Sequence, residues 1–260
     1  MLCKIDYQAP KDLLQDRIIM VTGASDGIGR AAAKAYAAHG ATVILVGRSI
    51  KKLEEVYDEI ENAGGAQPAI FPMNFETATY KDYGEMAELL EKEFGHLDGI
   101  LHNAGILGSI TPVDAYNPQV WEQVMQVNFT SALLMTQSLL SLLQNSKDAS
   151  LLFTSSSVGR KGRAFWGAYS VSKFATEGLV EILADEQENL SHVRVNSINP
   201  GATRTGMRQL AFPGENPSTL RTPEDIMPTY LYLMGPASKE QNGQKFDAQP
   251  PRVEVLDAAQ

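Results

Sequence analysis

Short runs of continuously apolar or β-branched residues alternate along the chain with longer segments in which apolar positions recur every three or four residues. This is the pattern of repeated βα units feeding one parallel sheet. Seven strands are predicted, at 17–22, 42–47, 66–71, 99–102, 150–155, 193–198 and a short last one at 245–247. Several are apolar throughout, as strands covered by helices on both faces are. After the first strand, "GIGRAAAKAYAAHG" reads as an Ala-rich helix with Gly40 as its C-cap. No internal repeat, low-complexity tract or linker interrupts the series. The expected architecture is therefore one α/β domain over 1–260, a doubly wound parallel sheet of about seven strands with helices on both faces.

A chain of 260 residues is within reach of a single core of this kind, and 43% hydrophobic with 20% charged residues excludes a disordered or fibrous protein. The formal net charge of −9 argues against nucleic acid, which requires a basic footprint. Cys3 has no second cysteine to pair with, and His39, His96, His102 and His192 are spaced too widely for a metal motif, so no metal is expected. The N-terminus lacks the apolar stretch of a secretory signal, and no run is long enough to span a bilayer. A soluble, cytoplasmic protein without membrane contact is expected.

The first strand runs into "TGASDGIG", which places Gly23, Gly27 and Gly29 at a strand-to-helix turn. Glycines there let the backbone approach a pyrophosphate, and the following helix offers unpaired N–H groups and the positive end of its dipole. The position of the turn, after the first strand and before a helix, favours a dinucleotide site over an ordinary tight turn. The second strand ends "VGRS", so Gly47 stands where an acidic residue would accept the ribose hydroxyls of NAD, and Arg48 can pair with the 2′-phosphate of NADP. A second basic residue near this turn is not evident, and Asp26 lies in it.

In "YSVSK", Tyr169 and Lys173 are four residues apart and share one face of a helix. An ammonium beside a phenol favours the phenolate and brings its pKa toward the working pH, as acid–base catalysis requires. The spacing alone is weak, since Tyr7 and Lys11 share it, but Pro10 lies between those two. Tyr169 instead follows "FTSSSVG" at the end of the fifth strand, where parallel sheets bind ligands.

Together, the G-x-x-x-G-x-G turn, "HNAG" (102–105), "YSVSK" and "NPGATRT" (199–205) resemble the short-chain dehydrogenase/reductase family over nearly the whole chain. "FTSSSVGR", "WGAYSVSKFATEG", "TPEDIMP" and "FDAQP" are similar to its bacterial YciK-type subfamily. The resemblance implies a Rossmann-type fold and hydride transfer between a nicotinamide and a small carbonyl or alcohol substrate. Tyr169 would be the proton donor and acceptor, Lys173 the support of Tyr169 and of the nicotinamide ribose, Ser156 the group that orients the carbonyl, and Asn128 the holder of a relay water. Ser155 and Ser157 remain competitors for the serine role. The cofactor contacts implied are Gly23, Ser25, Asp26, Gly27, Ile28, Gly29, Gly47, Arg48, Ser49, Asn74, Asn103, Ala104, Gly105, Tyr169, Lys173, Pro200, Gly201, Thr203 and Thr205. NADP(H) is expected in preference to NAD(H), with NAD(H) as the second acceptable cofactor.

The resemblance further implies a homodimer or homotetramer formed through the long helices starting near Gln119 and Tyr169, an N-terminal extension at 1–14, a substrate lid at 203–222 and a C-terminal tail at 248–260. "FDAQP" departs from the family's V-D-G-G, and His102 from its usual asparagine; His102 reads as a packed, hydrogen-bonded core residue. Arg160, Lys161, Arg163, Phe165 and Trp166 on one side, and Arg204, Met207, Arg208, Leu210 and Phe212 on the other, would flank the substrate mouth and suit an apolar body with an anionic end. The alternative from another class is a dinucleotide-binding scaffold without turnover.

Overall fold

Strands form where apolar residues run without a break, and loops begin where Gly, Pro, Asn or Ser interrupt them. The computed structural model describes residues 2–250. Its strands are β1 (Ile18–Thr22), β2 (Thr42–Gly47), β3 (Ala69–Pro72), β4 (Gly99–His102), β5 (Ala149–Thr154), β6 (Val193–Asn199) and β7 (Lys245–Asp247). They make one parallel sheet in the order β3-β2-β1-β4-β5-β6-β7. β3 starts at Ala69 and not at Ala66, because Pro68 has no N–H to give the ladder; pairing with β2 opens at Ile44 and Ala69.

The helices are α1 (Gly27–Ala38), α2 (Ile50–Asn62), α3 (Tyr80–Phe94), α4 (Pro118–Met125), α5 (Ser131–Gln144), α6 (Gly167–Gln187), α7 (Gly206–Ala211) and α8 (Met227–Met234). Their starts follow local chemistry. The Asp26, Ser49 and Asn117 side chains accept hydrogen bonds from the first turns of α1, α2 and α4. At the end of α1 the C-cap is His39, one residue before the expected Gly40, which follows at φ 100°. The long helix expected from Gln119 begins at Pro118 and is broken by a π turn, Gln126–Thr130, that contains Asn128.

Alternation along the strands divides the core between two layers. Ile19, Val21, Val43, Leu45, Leu101 and Leu152 face α1 and α8, while Met20, Ile44, Val46, Ile100, Leu151 and Phe153 face α3, α5 and α6. The first residues join the former layer: Leu2 pairs beside Phe246, Tyr7 meets the edge of Tyr232 at 5.4 Å, and Leu14 is fully buried. β1 has β2 on one side and β4 on the other, so the loops leaving β1 and β4 diverge and open a crevice at the carboxyl ends of the strands.

Charge is concentrated at the opposite end of the sheet. Asp148, just before β5, pairs with Arg17 at 2.7 Å and with the deeply buried Arg194, whose Nε donates to Ser238 at 3.1 Å. Burial pushes the Asp148 carboxyl up, but Arg194 and Arg17 together outweigh it and hold its pKa below the usual range. Asp148→Ala strands the Arg194 guanidinium and is expected to cost about 3 kcal/mol in urea unfolding at pH 7. Because the folded pKa is depressed, the benefit is complete above the ordinary Asp value of 3.8 and fades as pH falls below it. Wild type and variant should therefore converge in acid, and equal stability at pH 7 would contradict this account.

Candidate active site

The turn after β1 is shaped by close approach. Gly23 and Gly27 adopt φ of 67° and 50°, and a Cβ on Gly29 would lie 2.2 Å from the Gly23 carbonyl oxygen. The Thr22 hydroxyl accepts from the N–H groups of Asn103 (2.9 Å) and Ala104 (3.1 Å), which stitches the ends of β1 and β4 together below the crevice.

A cavity of about 590 Å³ extends from Arg48, Ser49 and Lys52 at the end of β2, across this turn, to Ser156, Tyr169 and Lys173. Every cofactor-contact residue expected from the sequence lines it except Gly29, which lies beneath the turn. The close-packed glycine backbone, the N-terminus of α1 beyond the Gly27 N–H that Asp26 caps, and a cationic far end make this a fit for a phosphorylated dinucleotide. Lys52 was not legible in the sequence. It projects from the first turn of α2, its Nζ lies 3.3 Å from the Asp26 carboxylate, and it supplies the second basic group beside Arg48.

The expected catalytic residues fall into two places. Ser156, Tyr169 and Lys173 line the cavity; Asn128 does not, being 4% exposed behind it. The π turn aims the Asn128 amide at the Ile106 backbone, where it accepts from N–H at 2.8 Å and donates to C=O at 3.0 Å, and it also donates to Ser172 at 3.1 Å. Asn128 thus latches the loop after β4 to α6. Among the three serines, Ser156 is the one whose hydroxyl acts on the Tyr169 phenol, the Ser155 side chain is buried, and Ser157 is exposed.

Burial governs the electrostatics of the pair. It pushes the Tyr169 phenol up to about 12, against a smaller downward pull from the Ser156 hydroxyl. It pulls Lys173 down to about 8, partly offset by Glu177 one turn along the helix. The Lys173 ammonium donates to the Thr154 carbonyl at 2.7 Å and lies 5.8 Å from the centre of the Tyr169 ring. The expected depression of the tyrosine by its lysine is therefore not seen in the chain alone; desolvation is the larger effect. His102 is packed, stacked on Phe153 at 4.7 Å and hydrogen-bonded to Thr136, and burial lowers its pKa to about 3, so it stays neutral.

The mouth is more apolar than its sequence suggested. Trp166 lies 5.7 Å from Tyr169 and 5.8 Å from Phe212, with Leu107 and Met207 alongside. Arg160 turns inward to Glu177 and Asp247, Arg204 donates to the carbonyls of Pro217 and Leu220, and Arg208 pairs with Glu215 and stacks on Phe212 at 3.7 Å. Those three arginines are taken up by carboxylates and carbonyls of the chain; Arg163, over the Phe212 ring at 5.7 Å, remains exposed at the mouth.

Comparison with known proteins identifies the relatives of this chain. The family described as short chain dehydrogenase matches residues 17–216. The chain is 55% identical over 246 residues to the uncharacterized oxidoreductase YciK of Escherichia coli K12, covering 95% of this chain and 97% of that one. A short chain dehydrogenase structure from Pseudomonas syringae superposes with a TM-score of 0.92 at 59% identity, over 94% of this chain and 99% of the other. Another, from Escherichia coli CFT073 and complexed with NADPH, gives 0.90 at 55% identity over 93% and 100%.

If burial sets the state of Lys173, its side-chain carbon resonance should titrate near pH 8, well below the 10.5 of an ordinary lysine. NMR of lysine-labelled protein with Lys173→Arg as the assignment control reads this directly. A midpoint at the ordinary value would show that the ammonium is not desolvated.

Proposed function

The chain belongs to the short-chain dehydrogenase family, and from that membership we propose that it is an NADP(H)-dependent oxidoreductase that interconverts a carbonyl and an alcohol, with Tyr169 as proton donor and acceptor. The observation that carries this reading is the meeting of the Tyr169, Ser156 and Lys173 side chains at one end of the cavity whose other end is cationic. The nicotinamide supplies the hydride when bound. The chain's own groups do the rest. Ser156 orients the carbonyl oxygen beside Tyr169, which at neutral pH carries its proton and can deliver it to the developing alkoxide. Lys173 steadies the resulting phenolate.

Preference for NADP(H) is supported by the NADPH complex of the Escherichia coli homologue and by Arg48, which is exposed at the end of β2. NAD(H) would leave Arg48 without a phosphate to pair with, and Lys52 with the Asp26 carboxylate alone. The substrate is a small molecule with an apolar, flat body suited to Trp166, Phe212 and Met207, and the segment 203–222 acts as its cover. Because three of the mouth arginines are already paired, an anionic end is not required. The chain works as a homo-oligomer in the cytoplasm, with the exposed Val171, Phe174 and Ile182 of α6 as the surface for a second copy.

Against a panel of apolar aldehydes and ketones with NADPH, Tyr169→Phe is expected to lose at least about a hundredfold in kcat while its NADPH Kd, read by fluorescence, changes little. In wild type the reduction should slow as pH rises through about 8, since Lys173 loses the charge that supports the phenolate. Turnover within a few-fold of wild type in Tyr169→Phe would remove the tyrosine from the mechanism.

Arg48→Ala should weaken NADPH by about tenfold or more and leave NADH nearly unchanged, the loss of one charge-assisted contact to a phosphate. Titration of both cofactors against both proteins checks this. Equal losses for the two would place Arg48 away from the 2′-phosphate.

A further inference from the structure

Three successive residues after Ser156 are pinned to one face of α6. The Val158 carbonyl accepts from the Ser170 hydroxyl, and Gly159 packs so tightly on Lys173 that a Cβ would lie 2.6 Å from the lysine's own. The third pin is Arg160, whose Nε donates to Glu177 at 3.0 Å. Positions 170, 173 and 177 are neighbours along one helix face, so the segment carrying Ser156 is laid along the helix carrying Tyr169 and Lys173.

The same guanidinium reaches a third element. It donates to both Asp247 oxygens at 3.3 Å and to the Phe246 carbonyl at 2.9 Å. Glu177 and Asp247 are almost fully buried, with side-chain exposures of 5% and 6%. Asp247 in turn accepts from Asn199 at 2.7 Å, and two residues on, Gln249 donates to the Pro200 carbonyl at 2.8 Å and contacts Ala202 and Thr203. The terminal "FDAQP" thus grips the loop after β6 that borders the cavity, and Arg160 connects this grip to the Ser156 segment.

We propose that Arg160 is a positioning residue: with Glu177, Asp247 and Gln249 it locks the Ser156 segment, helix α6 and the loop after β6 into one unit, so that the Ser156 and Tyr169 hydroxyls meet beside the cavity in a fixed geometry. The inference rests on the reading of Tyr169 and Ser156 given above. Only an arginine can serve all three elements at once, because its planar fork spans two carboxylates and a carbonyl, whereas a lysine ammonium is a single point. The network also bears on Lys173. Glu177 faces the cations Arg160, Lys173 and Lys245 and the anions Asp247 and Glu181, and the Ser197 hydroxyl donates to it at 2.8 Å.

The test compares Arg160→Lys, Arg160→Met and Glu177→Gln with wild type in melting temperature, NADPH Kd, kcat, KM and the pH dependence of reduction. Arg160→Lys, which keeps the charge but not the fork, should melt below wild type yet stay folded and bind NADPH at the assay temperature, and lose about tenfold or more in kcat there, because a small misplacement of reacting groups is enough for that. The falling pH limb should stay in place in Arg160→Lys, move up in Arg160→Met, where Glu177 acts on Lys173 without its guanidinium, and move down in Glu177→Gln. Wild-type kcat in Arg160→Lys overturns the proposal. So does a loss of kcat that only follows the melting temperature while the pH limb stays fixed in all three variants. If Tyr169→Phe retains turnover, the underlying reading fails; if it is inactive and the Arg160 variants are normal, this inference alone fails.

Discussion

Lys173 keeps an ammonium where 4% of the residue reaches solvent, and the arrangement of the site follows from how that charge is accommodated. A buried cation needs acceptors or a counter-charge near it. Here the acceptor is a backbone carbonyl, Thr154, at the end of the interior strand β5, and the counter-charge is Glu177, one turn along the same helix. α6 is therefore registered against β5 by a strong hydrogen bond and not by apolar packing alone. Tyr169, one turn earlier, is carried to the carboxyl ends of the strands, beside the serine that leaves β5.

The counter-charge makes demands of its own. A carboxylate as buried as Glu177 is held by Ser197 from β6, by Arg160 from the loop after β5 and more distantly by Lys245 from β7. The electrostatic needs of one lysine thus draw in β5, β6 and β7, three of the four strands on one side of the crevice. On the other side the requirement is steric: Gly29 must lie against the Gly23 carbonyl, and the Thr22 hydroxyl must join β1 to β4. A charged wall and a backbone-lined wall face each other across the topological switch point.

What was legible in the sequence was what depends on near neighbours. The strands show as unbroken apolar runs, the glycine turn as a spacing, and Tyr169 with Lys173 as one helical turn, so the sheet, the cofactor crevice and the residues that line it could be placed in advance. What was hidden depends on residues distant in sequence. Arg160 reads as one of the basic residues at the substrate mouth because its partners are 17 and 87 residues away. Lys52 joins Asp26 only because α2 starts beside the turn into α1. Asn128 reads as a mid-helix residue, and only the π turn explains why its amide reaches Ile106 instead of the cavity. Gln249 offers no local sign at all; its contact with Pro200 exists because β7 pairs with β6. Desolvation was the other blind spot, since helical spacing records the proximity of Tyr169 and Lys173 but not that both are buried.

The central claim is that this cavity transfers a hydride to a carbonyl carbon with the chain's own tyrosine supplying the proton. Its most direct test is single-turnover reaction of the full-length protein with NADPH deuterated at nicotinamide C4, in separate samples for the two faces, using an apolar ketone and analysing the alcohol by mass spectrometry and NMR. The account predicts one deuterium on the carbinol carbon from one of the two labelled faces and none from the other. Tight binding of NADPH with no label passing to any member of a broad carbonyl panel would contradict it and leave a dinucleotide-binding protein without this chemistry.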